Sequence, residues 1–128
     1  MTKHRVEIWV SYYYGGTDLS FSKSFDLPFV PFVGLVLNDR YKDNENEIRL
    51  EEHSYCHTTI IYDIREDSFL VDVRNVWKRP VDEEVIDEAL EIFKNTGWKR
   101  EDSTNIIDLK ELMKRDEKRI FLTKINDE

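Results

Sequence analysis

Histidine and cysteine cluster at one place in this sequence, the segment HSYCH at residues 53–57. Imidazole and thiolate groups bind zinc, and a thiolate beside an imidazole can act as a nucleophile, so His53, Cys56 and His57 are candidates for a metal centre or an enzyme site. On a continuous strand, His53 and His57 would lie ~13 Å apart at ~3.3 Å per residue, and Cys56 would face away from both. Only a bend or a ligand from elsewhere would bring them together. We therefore predict a buried structural cysteine, and we assign no catalytic residue, metal ligand or cofactor.

No other segment carries a motif typical of catalysis or metal binding. The four glycines cannot be arranged into a phosphate-binding loop or a nucleophile elbow. The acidic stretch within Asn38 to Glu47 lacks the central glycine of a calcium loop, so we predict a solvated loop there. The segment PFVP at residues 28–31 matches the pattern that polyproline-binding domains recognise, but it lies in the most apolar part of the chain. We predict that it is a core strand rather than an exposed ligand.

The charge of the chain limits its partners. The 128 residues include 27 acidic and 19 basic side chains, for a net charge of -8. An acidic globule repels phosphate backbones, which argues against nucleic acid and favours a basic protein partner.

A single cysteine excludes an internal disulfide, and the first ten residues, MTKHRVEIWV, lack an apolar signal region. We predict a cytoplasmic protein without a membrane segment, and the sequence leaves its oligomeric state open.

The first part of the chain has the alternating pattern of β-strands. Apolar residues recur at every second position over residues 6–14, 19–27, 48–64 and 68–77, with a bend expected near Glu52 to Tyr55. The run LPFVPFVGLVL, residues 27–37, is apolar at nearly every position, and we predict a buried central strand there. Residues 5–77 should therefore form a twisted, mostly antiparallel sheet of about five strands, with a half-barrel as its most curled form.

The apolar period becomes helical after Trp77. Asp82 is a suitable N-cap for a long helix from Glu83 to Asn95, and Gly97 is placed to end that helix. A second, short helix is expected from about Ile106 to Arg115, which gives a helical region over residues 82–116.

Residues 119–125, RIFLTKI, fit either a terminal strand or a helical tail, and we predict the strand. Because the strands precede the helices, the whole of residues 1–128 is predicted to be one α+β domain with its helices packed on the sheet.

Aromatic residues near the N-terminus lead to the first functional hypothesis. Trp9 and Tyr13 fall on the strand face opposite Val6, Ile8 and Val10, and exposed tryptophan and tyrosine often anchor interfaces. We predict a non-enzymatic binding module that engages a basic protein through Trp9, Tyr13 and surface carboxylates. Its size and charge are those of small inhibitor and immunity proteins, which is an analogy of bulk properties.

Two other classes of function stay open at this point. A small-molecule binder would enclose its ligand between sheet and helix, in a pocket lined by the aromatic residues Tyr12, Tyr14, Phe21 and Phe25. An enzyme would be centred on His53, Cys56 and His57.

Overall fold

The computed structural model describes the backbone of residues 2–126 and the side chains of residues 2–123. Within this range the chain forms a five-stranded sheet, a separate two-stranded hairpin and two helices, which confirms the predicted α+β class. The strands are β1 His4–Tyr14, β2 Thr17–Leu27, β3 Val36–Tyr41, β4 Asn44–Arg49, β5 Cys56–Asp63, β6 Ser68–Val76 and β7 Lys99–Arg100. The helices are α1 Glu83–Asn95 and α2 Ile106–Asn126.

The main sheet has the strand order β5-β6-β1-β2-β7. Strand β1 pairs antiparallel with β2 and parallel with β6, while β5–β6 and β2–β7 are antiparallel, so the predicted mostly antiparallel sheet is confirmed. The sheet is open, and β5 and β7 form its two edges. Gly15 and Gly16 have φ angles of 53° and 81°, which lets them turn the chain tightly between β1 and β2.

One face of the sheet forms the hydrophobic core. Alternate residues of β1, β2 and β6 point into this face because side chains of a strand alternate in direction. The core also receives Ile86 and Phe93 from α1, Leu109 and Met113 from α2, and Ile48 from β4. The rings of Phe21 and Phe93 stack with their centroids 4.1 Å apart, which joins the sheet directly to α1.

Helix α1 has the bounds that the sequence predicts. Gly97, at φ 81°, ends the helix, and its N–H donates to the Lys94 carbonyl at 3.2 Å. The Trp98 N–H donates to the Phe93 carbonyl at 2.9 Å, so the two bonds form the usual glycine-terminated helix end. Trp98 then packs edge-on against Phe93, with ring centroids 5.2 Å apart.

Helix α2 begins where predicted but is longer than predicted. The Asn105 side-chain oxygen accepts the N–H groups of Ile107 and Asp108, as an N-cap does. The predicted terminal strand over residues 119–125 is wrong, because these residues belong to α2. No glycine or proline follows Gly97 in the sequence, so nothing interrupts the helix once it has started. Neither helix, as far as the structure describes them, has the length and apolar content needed to cross a membrane.

The predicted central strand over residues 27–37 is also wrong. Leu27 ends β2, residues 28–35 are in no strand, and Val36 and Leu37 begin a strand of the small hairpin. Pro28 and Pro31 have no N–H to donate to a strand ladder, and Gly34 turns the chain with φ 102°. The chain therefore leaves the sheet after Leu27.

The loop predicted from Asn38 to Glu47 is wrong as well, because these residues form most of the β3–β4 hairpin. The turn contains Lys42 in a left-handed conformation, with φ 55°. Strand β4 faces the core through Asn46 and Ile48. Because Asn46 is polar, the sequence of β4 does not show the alternation of apolar and polar residues that predicts a strand. Hairpin pairing depends here on contacts with the rest of the fold more than on local apolar period.

Candidate functional site

The segment of residues 28–36, termed the apolar loop, exposes large apolar side chains. Its exposed fractions are 40% for Phe29, 49% for Val30, 53% for Phe32, 51% for Val33 and 46% for Val36. The rings of Phe29 and Phe32 lie beside each other, with centroids 6.5 Å apart. The loop therefore presents five large apolar side chains to solvent, and two of them are adjacent aromatic rings.

Backbone hydrogen bonds hold the apolar loop in place. The Gly34 N–H donates to the Leu50 carbonyl at 2.7 Å, and the Leu50 N–H donates back to the Leu35 carbonyl at 2.9 Å. The Leu35 N–H donates to the Phe32 carbonyl at 3.2 Å, which closes a turn within the loop. Pro31, within the loop, is buried. Residues 32–35 of the loop are thus held by backbone hydrogen bonds before any partner binds, which lowers the entropy that binding would cost.

The apolar loop lies at one end of the main sheet. It follows Leu27, which pairs with His4 at the start of β1. The turn between β5 and β6 lies at the same end, since Ser68 pairs with Arg5, and this turn exposes 83% of Ile64. This end of the sheet therefore collects exposed apolar side chains from two separate loops.

The sheet face opposite the core, termed the open face, carries Trp9 and Tyr13. Together with Ile61 and Leu70 they line a depression of about 570 Å³. Tyr13 is 37% exposed, and the Trp9 indole N–H donates to a Glu7 carboxylate oxygen at 3.0 Å. The two residues that the sequence proposes for partner binding thus lie in one shallow site.

The floor of this depression is polar. Ser11 and Ser20 are 3% and 6% exposed, and their hydroxyl oxygens are 3.0 Å apart. The Ser20 hydroxyl donates to an Asp18 carboxylate oxygen at 2.8 Å, so the Ser11 hydroxyl must be the donor to Ser20. The rim carries an ion pair between Asp72 and Arg74, at 2.8 Å. The open face can therefore combine aromatic contacts with hydrogen bonds.

The four residues predicted for an aromatic pocket all lie on the core face. Phe21 stacks on Phe93, and Phe25 lies 5.7 Å from the Trp98 ring. Tyr12 stacks on Trp77 at 5.2 Å and lines two small depressions of about 200 and 230 Å³. The Tyr14 hydroxyl donates to an Asp116 carboxylate oxygen at 2.5 Å. Their rings and hydroxyls thus contact α1, α2 and the segments that flank α1.

The bend that the sequence predicts near Glu52 to Tyr55 is present, and it joins two of the three chemistry-bearing residues of this segment. The His53 N–H donates to the Cys56 carbonyl at 2.9 Å, and the Cys56 N–H donates to the His53 carbonyl at 3.2 Å. His53 and Cys56 are therefore directly opposite each other across a tight turn, whereas on a continuous strand Cys56 would face away from His53. His57 lies outside this arrangement, with its Nδ1 atom 2.7 Å from a Glu52 carboxylate oxygen.

Sequence reasoning missed a third member of the cluster, Glu51. Possible ligand atoms of Glu51, His53 and Cys56 all lie within 4.8 Å of one another. The Glu51 Oε2 atom is 3.0 Å from His53 Nε2. The sequence contains a signal for Glu51. Glu51 and His53 are two positions apart, and residues two apart in extended chain share a face, so a tight turn that pairs His53 with Cys56 also brings Glu51 to the cluster.

This arrangement does not favour a cysteine nucleophile. His53 Nδ1 accepts the Tyr55 N–H at 3.1 Å, and Nε2 faces Glu51, so neither ring nitrogen has a free lone pair directed at the thiol. Burial raises the pKa of the Cys56 thiol, and repulsion from Glu51 and Glu52 raises it further. A nucleophilic cysteine needs the opposite shift.

Known proteins give no assignment for these sites. No family model, no curated protein and no solved structure matches this chain. The functional argument therefore rests on the geometry of the chain itself.

Proposed function

We propose that this chain is a binding module that holds a protein partner through the apolar loop, residues 28–36. The observation that supports this proposal is the exposure of Phe29, Val30, Phe32 and Val33 in the most apolar run of the sequence. Full burial of one such side chain is worth about 1.5–3 kcal/mol relative to full exposure, and at 40–53% exposure the free protein leaves about half of this ungained. Exposed contiguous apolar patches in soluble proteins commonly mark interaction sites.

The partner is a folded protein with an apolar groove and a basic rim. Phe29 and Phe32 are close enough, at 6.5 Å between ring centroids, to enter a single groove. The net charge of -8 attracts a basic rim and accelerates association. The same charge opposes the two other apolar surfaces that could cover the loop, which are a second copy of this chain and an anionic lipid surface.

The open face is a second candidate surface for the same function. Its favouring observation is the depression of about 570 Å³ that Trp9 and Tyr13 line. A partner that used this surface would place an apolar side chain between the two aromatic rings, which is how interface anchors commonly bind.

Photo-crosslinking tests the proposal and distinguishes the two surfaces. A photoreactive phenylalanine analogue is incorporated in the cell at position 32, at position 13, or at position 121. Phe121 is the matched control because it is a phenylalanine, 62% exposed, on α2. The proposal predicts a covalent adduct with one discrete protein from position 32 and none with that protein from position 121.

The identity of the adduct decides between the possible occupants of the loop. An adduct with this chain itself would show that a second copy covers the loop, and labelling of lipid would show a membrane surface. An adduct from position 13 alone would assign the function to the open face. Each of these results, or the absence of an adduct from position 32, would overturn the assignment of the apolar loop to a protein partner.

A further inference from the structure

The turn between β4 and β5 brings together three side chains of different ligand chemistry. Glu51 offers a carboxylate oxygen, His53 an imidazole nitrogen and Cys56 a sulfur, all within 4.8 Å of one another. The three residues lie within six positions of sequence, and the paired backbone bonds between His53 and Cys56 fix the turn that joins them. This cluster is separate from both surfaces considered for protein binding.

We propose that Glu51, His53 and Cys56 bind a thiophilic divalent cation of the Zn²⁺ class, with water completing the coordination. Sulfur, imidazole and carboxylate ligands together are typical of zinc, whereas magnesium and calcium take oxygen ligands almost exclusively. Three protein ligands with one open position form a common zinc arrangement.

The observed distances are close to those that a metal requires. Two ligand atoms of a tetrahedral zinc ion at ~2.0–2.3 Å from the metal lie about 3.3–3.6 Å apart. Glu51 Oε2 and His53 Nε2 are already 3.0 Å apart, so these two need to separate only slightly. Their side chains are 39% and 49% exposed, and small rotations can bring both towards the Cys56 sulfur.

Metal binding would change one hydrogen bond of the turn in a defined way. His53 Nδ1 now accepts the Tyr55 N–H at 3.1 Å. When a metal takes Nε2, the imidazole proton moves to Nδ1, which can then no longer accept a hydrogen bond. If the metal takes Nδ1 instead, it replaces the Tyr55 N–H directly. In either case the Tyr55 amide is released to water.

Titration of the purified protein with Zn²⁺ alone, against a competing chelator, tests the proposal. We expect one Zn²⁺ per chain, and His53→Gln should weaken binding by about 100-fold or more, since loss of even a supporting residue costs 10–100-fold. His57→Gln is the matched control, because His57 is a neighbouring exposed histidine that pairs with Glu52 and lies outside the cluster. It should leave the affinity unchanged.

Two spectroscopic readouts separate a built site from adventitious binding. With Co²⁺ in place of Zn²⁺, the wild-type protein should show a thiolate charge-transfer band that Cys56→Ser abolishes. The Tyr55 amide signal should shift in the NMR spectrum when Zn²⁺ is added. Because Cys56 is buried and its replacement can disturb folding, His53→Gln, which alters an exposed side chain, decides the outcome independently. Equal weakening by His53→Gln and His57→Gln, or a Co²⁺ spectrum without the thiolate band, would overturn the proposal.

Discussion

Lys23 Nζ lies 2.8 Å from Asp39 Oδ2, and this ion pair joins the main sheet to the β3–β4 hairpin. The lysine interrupts the apolar face of β2 between Phe21 and Phe25, and its ammonium also donates to the Thr96 carbonyl at 2.6 Å. The same Asp39 oxygen accepts the Trp98 indole N–H at 2.9 Å. One carboxylate therefore ties β2, β3 and the segment after α1 together.

Replacement of Asp39 should reveal how much this network contributes. Asp39→Ala leaves the Lys23 ammonium and the Trp98 N–H without their acceptor, and we expect the free energy of unfolding to fall by about 2–4 kcal/mol. Asp39→Asn keeps an acceptor for the Trp98 N–H while removing the charge, so its loss should be smaller. Urea denaturation at neutral pH measures both. Losses below about 0.5 kcal/mol for both variants would show that the network is not a stabilising one.

The interior end of α2 should be far more sensitive to substitution than its exposed end. Met113 is 2% exposed, and its sulfur accepts the Val81 N–H at 3.1 Å, so Met113→Ala should cost about 2–5 kcal/mol through the cavity it leaves. Phe121 is 62% exposed on the same helix, and Phe121→Ser should change stability by less than about 0.5 kcal/mol. Thermal unfolding of the two variants compares them directly. A larger loss for Phe121→Ser would mean that the far end of α2 packs on the domain.

Stability should fall at alkaline pH because of buried tyrosine. Burial, with a smaller contribution from repulsion by Cys56, raises the pKa of Tyr12 to about 12, and burial with the Asp116 hydrogen bond raises the pKa of Tyr14 to about 12. An unfolded chain releases these protons near pH 10, so between pH 10 and 12 the native state holds more protons and loses stability as the pH rises. Below pH 10 this contribution is constant.

The variant Tyr12→Phe isolates one of these two groups. We expect its unfolding free energy to fall less between pH 10 and 12 than that of the wild type, with the remaining fall due to Tyr14. Denaturant unfolding at fixed pH values over this range provides the measurement. A fall as steep as that of the wild type would contradict the assignment to Tyr12.

The elements that the sequence predicts well are those whose local and tertiary signals agree. Helix α1 has an apolar stripe, an N-cap residue at Asp82 and a terminating glycine at Gly97, and its bounds are as predicted. The hairpin of β1 and β2 has an alternating pattern, interrupted at Lys23, and two turn glycines. In both cases the residues that bury apolar surface are also those that define the period.

The remaining errors have a common physical cause. The run from Leu27 to Leu37 has the composition of a core strand, but Pro28 and Pro31 cannot complete a strand ladder. The apolar composition of the run does not show whether its side chains are buried or exposed. The β3–β4 hairpin shows the reverse case, since its polar residues pair because Asp39 and Asn46 find partners elsewhere in the fold. Tertiary contacts of this kind cannot be read from local period.

For the cluster of Glu51, His53 and Cys56, the sequence predicts the bend of the chain but not the directions of the three side chains. The bend over residues 52–55 was predicted from the interrupted alternation, and the structure contains it. The consequence of that bend for side-chain direction depends on the number of residues in the turn. A two-residue turn places His53 opposite Cys56, whereas a longer turn need not do so.

The affinity of the partner for substituted forms of the apolar loop tests the central claim most directly. Once the protein crosslinked from position 32 has been purified, its Kd is measured for the wild type, for the double variant Phe29→Ser/Phe32→Ser, and for Phe121→Ser. Because two central anchors are removed, we predict that the double variant weakens binding by 100-fold or more, about 3 kcal/mol, while it remains folded and the Phe121→Ser affinity is unchanged. An unchanged Kd for the double variant would contradict the assignment of partner binding to this loop.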